Sequence, residues 1–93
     1  MDGPRLVFRV HAVRRMAERG ISVEDVREVV QTGTVIERYP DERPYPSRLV
    51  LGWRGSRPLH VVAADNSAVE EIVIVTVYEP DPARWRPGFT TRR

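Results

Sequence analysis

Two apolar runs near the end of the chain limit what it can fold into: "PLHVVAA" (58–64) and "EIVIVTVY" (71–78), separated by the polar "DNSAVE" (65–70). Both are apolar at nearly every position, so neither alternates between a wet and a dry face. Strands of this kind have to be covered on both sides. The short polar connection predicts that they pair as an antiparallel hairpin at the centre of a sheet. The rest of a 93-residue chain must then supply the cover, enough for a single domain over 1–93.

The cover begins with two amphipathic helices. From Val10 to Arg19, Val10, Ala12, Val13, Met16 and Ala17 fall on one arc, and His11, Arg14, Arg15, Glu18 and Arg19 on the other. Gly20 suits a left-handed C-terminal stop. Ser22 is placed to cap a second helix whose first turn carries Glu24 and Asp25. Val23, Val26, Val29 and Val30 repeat there at helical spacing up to Gly33. A tight connection predicts a helical hairpin. Beyond it, "TVIERY" (34–39) and "RLVLGW" (48–53) read as two more strands, separated by the proline-rich loop "PDERPYP". Residues 1–9 read as an extended lead-in, and "EPDPARWRPGF" (79–89) as a tail docked by its aromatic residues. The expected fold is α+β: an N-terminal helical hairpin on a four-stranded antiparallel sheet.

Composition narrows the chemistry. There are no cysteines and only two histidines, which removes thiolate metal sites and a structural zinc centre; no cofactor is expected. No apolar run is long enough to span a bilayer, and the first ten residues lack the apolar stretch of a secretory signal, so a cytoplasmic location is expected. The net charge is only +2, yet all 15 basic residues are arginine. Guanidinium forks onto phosphate and stacks on rings, which suits nucleic acid; a coding bias towards arginine would give the same count.

Two groups of residues carry candidate chemistry. On the polar arc of the first helix, His11, Arg15 and Arg19 succeed one another at four-residue spacing and Arg14 flanks them, a row fit to face phosphate or simply to be solvated. His60 sits inside an otherwise apolar strand, where a hydrogen-bonded core histidine is the commoner outcome. If like parities face each other across the hairpin, His60 shares a face with Thr76 and Tyr78, and an imidazole and a phenol could then serve acid–base chemistry. A one-residue slip would send Tyr78 to the other face. Arg57 extends a cation towards the same end of the sheet. Trp85, with Arg84 and Arg86, could stack on a base or merely anchor the tail.

Taken in order, "HAVRRMAERGIS", "GTVIERYPDERPYPSRLVLGW", "RPLHVVAA" and "TVYEPDPARW" resemble the bacterial domain of unknown function (DUF) family 4258 from His11 to about Arg93. Its members resemble toxins of toxin–antitoxin pairs with a RelE-like or barnase-like ribonuclease fold. The resemblance implies metal-independent RNA cleavage by 2′-hydroxyl attack, on mRNA free or on the ribosome. It also implies a cognate antitoxin partner of zinc-ribbon or helix-turn-helix type. Carried over by position, it marks His11, Arg15, Arg19, His60 and Tyr78. His60 is expected as base or acid, with Tyr78 or His11 as its counterpart and Arg15 and Arg19 on the phosphate; Arg14, Arg57 and Trp85 are expected to contact RNA. A non-catalytic RNA- or ribosome-binding module and a protein–protein regulatory module are the alternatives.

Overall fold

The computed structural model describes residues 3–93 and contains two helices and five strands: β1 (Arg5–Phe8), α1 (Val10–Arg19), α2 (Val23–Thr32), β2 (Thr34–Tyr39), β3 (Ser47–Arg54), β4 (Arg57–Asn66) and β5 (Glu71–Tyr78). The strands form one sheet in the order β1-β5-β4-β3-β2. Four of them run antiparallel to their neighbours in sequence, while β1 adds parallel to β5, with Leu6 opposite Ile72 and Phe8 opposite Ile74. The sheet is therefore mixed and five-stranded, not four-stranded and antiparallel as expected. The lead-in is a strand because β5, apolar on both faces, would otherwise leave its backbone donors and acceptors on an open edge. Its own alternation of exposed Arg5 and Val7 with half-buried Leu6 and Phe8 matches that role.

The helices end where their capping residues say they should. Gly20 is left-handed (φ 63°) after α1. Ser22 and Asp25 form a reciprocal capping box at the start of α2, each side chain accepting from the other's backbone N–H at 3.0 Å. The two helices lie side by side on the sheet instead of packing mainly on each other: α1 sits over β5, and α2 over β3 and β4. The core between helices and sheet holds Ala12, Met16, Val26 and Val29 against Leu59, Val61, Ile74 and Val77. The apolar arc of α1 is narrower than its sequence suggests, since Val10 and Val13 are 70% and 50% exposed. Contact between α2 and β3 is close at Gly52, where a Cβ would stand 2.6 Å from Val29 Cγ2.

The opposite face of the sheet has no helix. It carries Leu49 and Leu51 of β3 with His60, Val62 and Ala64 of β4, all cross-strand neighbours. Two irregular segments cover it: the β2–β3 loop at one end and residues 79–93 at the other. In the second segment Trp85 bridges Arg92 in an antiparallel turn, with the Arg86 N–H donating to the Thr91 carbonyl at 2.9 Å. No helix among the described residues is long and apolar enough to cross a membrane.

Candidate functional site

The site is assembled where this second segment crosses the ends of β4 and β5. His60 and Tyr78 are directly opposite one another. A bulge makes this so. From the hairpin loop the strands pair as Asn66 with Glu71 and Ala63 with Ile74; the register then slips by one, so that Val62 faces Thr76 and His60 faces Tyr78. Without the extra residue, Val75, His60 would face Val77 and Tyr78 would lie on the helical side.

The His60 ring has no exposed surface. Its Nε2 lies 2.9 Å from the Phe89 carbonyl oxygen, an acceptor only, so Nε2 carries the proton. Nδ1 is then the acceptor for the Tyr78 hydroxyl at 3.2 Å. Trp85, 3% exposed, closes the ring from above, edge to face at 4.5 Å and 88°. Burial holds the His60 pKa below its ordinary value, partly opposed by the Phe89 hydrogen bond and the Glu37 charge. Burial likewise raises that of Tyr78. At neutral pH the pair is therefore a neutral imidazole accepting from a neutral phenol.

Several contacts fix the segment over this pair. Arg92 stacks on Trp85, its guanidinium carbon 4.5 Å from the ring centre, and forks onto Glu37 at 3.0 and 3.1 Å. Glu37 also accepts from the Tyr39 hydroxyl. These two partners keep the Glu37 carboxyl below its usual range, and burial with the Glu37 contact pushes Tyr39 up to about 12. Phe89 adopts φ 61°, a left-handed conformation that costs an aromatic residue strain of about 1–3 kcal/mol. That conformation is the one in which its carbonyl meets His60, while its ring lies 6.0 Å from Trp53.

Outside the seal, α1 and the C-terminal segment face each other across a cleft of about 560 Å³. Arg15 and Arg19 line it from the helix, Arg84, Trp85 and Arg92 from the segment, and Tyr78 between them. Among the described residues, Glu79 and Asp81 supply its carboxylates. A cleft with four guanidinium groups and a phenol suits a phosphodiester, while the Trp85 indole is buried with Arg92 stacked on it and leaves no free face for a base.

The structure thus brings Arg15, Arg19, Tyr78 and Trp85 together at one opening, with His60 directly behind Tyr78. His11 and Arg14 are exposed on α1 but do not line the cleft. Arg57 has a structural commitment instead: it pairs with Glu79 at 3.0 Å and donates to the carbonyls of Arg19 and Gly20, capping the end of α1. Trp85 serves both as the anchor of the segment and as a wall of the cleft. Arg92 and Glu37 escaped the sequence reading altogether. The only hint was a further arginine after an aromatic tail, and Glu37 lies 55 positions away from it. Among the described residues no three His, Cys, Asp or Glu side chains are grouped to hold a metal ion.

An α+β domain whose helix-free sheet face carries a sealed histidine–tyrosine pair beside a cationic cleft is the class that fold and site define. Residues 8–79 match the model of the family described as Domain of unknown function (DUF4258), and the chain belongs to that family. The match stops at Glu79, the first residue of the segment that seals His60. Searches of curated proteins and of solved structures return no match.

Proposed function

We propose that this protein is a metal-independent endoribonuclease, the toxin half of a toxin–antitoxin pair acting in the cytoplasm, with a RelE-like or barnase-like arrangement of helices on one face of a sheet. The observation that carries the reading is the position of Tyr78: its hydroxyl donates to His60 Nδ1, and the residue lines a four-arginine cleft. In the reaction, the ribose 2′-oxygen attacks its own phosphorus and the bond to the 5′-oxygen breaks. The 2′-hydroxyl proton passes to the Tyr78 oxygen as the Tyr78 proton passes to His60 Nδ1; the 5′-oxygen takes a proton from water, and the hydroxide so formed recovers the His60 proton through Tyr78, restoring the neutral pair. Arg15, Arg19 and Arg84 stabilise the charge on the phosphoryl oxygens. His60 acts through Tyr78, since the sealed ring does not reach the cleft. His11, outside the cleft, has no role in this scheme.

The burial of His60 favours a second reading, an RNA- or ribosome-binding module that uses the same cleft without cleavage. One experiment separates them: purified protein is incubated with RNA in EDTA and the product ends are analysed. The nuclease yields 2′,3′-cyclic phosphate and 5′-hydroxyl ends, and Tyr78→Phe lowers the rate about a hundredfold or more. Intact RNA with binding that weakens steeply as salt is added supports the binding module instead. Tyr78→Phe cutting at the wild-type rate overturns the proton relay. Co-expression with the protein encoded beside it tests the antitoxin partnership, which predicts a stable complex.

A further inference from the structure

The helix-free face of the sheet has a second concavity, separate from the cationic cleft. It lies under the β2–β3 loop and encloses about 350 Å³, within the range of small-ligand pockets. Its floor is apolar: Val62 and Ala64 of β4 and the bulge residue Val75. Tyr39 and Tyr45 provide aromatic walls, Arg9 and Arg43 provide cations, and Glu42 is the one carboxylate among the described residues. The Tyr45 hydroxyl accepts from Asn66 at 3.0 Å and that of Tyr39 donates to Glu37, so both rings are held in place by bonds outside the cavity.

This composition differs from that of the cleft. The cleft is charged and polar, as a phosphodiester requires. The cavity is mainly apolar and aromatic, with charge confined to Arg9, Arg43 and Glu42, as a planar ring bearing an anionic substituent requires. The two are also in line. Val62 and Ala64 follow His60 at alternate positions on β4, so they share its face about 7 and 13 Å along the strand. Tyr39 is tied through Glu37 to Arg92, a wall of the cleft.

From this the geometry points to a nucleobase pocket that receives the base flanking the phosphate bound in the cleft, with guanine preferred. Guanine presents two adjacent N–H donors, at N1 and N2, to the two oxygens of one carboxylate, whereas uracil presents one. Glu42 reads the base, the tyrosine rings cover its faces, and Arg9 or Arg43 meets its phosphate. The inference rests on the nuclease reading for its place in a reaction, but not for its occupancy.

The test uses free ribonucleotides. Guanosine, adenosine, cytidine and uridine 5′-monophosphates, with inorganic phosphate as control, are titrated into the protein while backbone amide signals are followed by NMR. Saturable shifts are expected at Ser47, Val62, Ala64 and Val75, with the guanosine nucleotide binding about tenfold more tightly than the uridine one. Ala64→Leu, which fills the cavity from its floor, abolishes them. Glu42→Gln, an exposed change that leaves the core alone, removes the guanine preference. No shift at these amides, equal shifts with inorganic phosphate, or a guanine preference that survives Glu42→Gln overturns the proposal. Nucleotide binding without RNA cleavage refutes the nuclease and leaves the pocket standing; cleavage without nucleotide binding here refutes the pocket alone.

Discussion

Replacing Trp85 with alanine should both destabilise the protein and release His60. An indole this deeply buried covers about 150–250 Å² of surface, which at about 25 cal/mol/Å² corresponds to roughly 4–6 kcal/mol as an upper bound. The stacked Arg92 adds about 0.5–1 kcal/mol. The realised loss has a ceiling, because residues 79–93 can leave the sheet while the helix-covered core remains; once they have left, no more can be lost. A decrease of about 3 kcal/mol in unfolding free energy is expected, measured by urea denaturation. The second readout is more specific. Burial is the leading cause of the depressed His60 pKa, and Trp85 is the ring packed on its face. In Trp85→Ala the His60 ring-proton titration followed by NMR should therefore move up towards the ordinary value of about 6.5. A wild-type midpoint in a destabilised variant would show that the indole is not what keeps water from His60, and the idea of a sealed pair would fail.

Because the folded-state pKa of His60 lies below its unfolded value, the unfolded chain binds the extra proton first; its contribution to stability is present above about pH 6.5 and lost as the pH falls through the folded-state value. Urea midpoints should thus fall between pH 7 and pH 5, above the range where Asp25 and Glu37 take up protons, and a flat profile there, or one unchanged in His60→Gln, would refute it. Gly52→Ala places a methyl 2.6 Å from Val29 Cγ2 and should cost about 1–3 kcal/mol by thermal or urea unfolding, a loss that Val29→Ala in the same chain partly restores. Additive losses in the double variant would mean that the helix–sheet contact is not the cause.

The local elements were legible because their signals are local. The 3.6-residue repeat of α1, the Ser22 cap, the Gly20 stop and the four strand runs all appear where the residues indicate. Even the hairpin of β4 and β5 follows from two apolar runs and a short polar link. The β1 strand was missed because four residues are too few for a period, and because the need for it lies on β5, more than sixty positions away. The α1 arc was read too widely because a helical wheel shows which residues are apolar, not how broad the surface beneath them is.

For the site, sequence alone determined the kinds of group on hand: two histidines, a phenol at the end of a strand, arginine as the sole cation and aromatic residues in the tail. It left open whether they meet. Tertiary structure decided that through three long-range facts. The Val75 bulge turned Tyr78 to the face of His60, Arg92 joined Glu37 to hold the last residues over the imidazole, and Arg57 went to the end of α1. The physical reason is that side-chain type and short-range periodicity are properties of neighbouring residues, whereas register, burial and ion pairing depend on which distant segments share the same space.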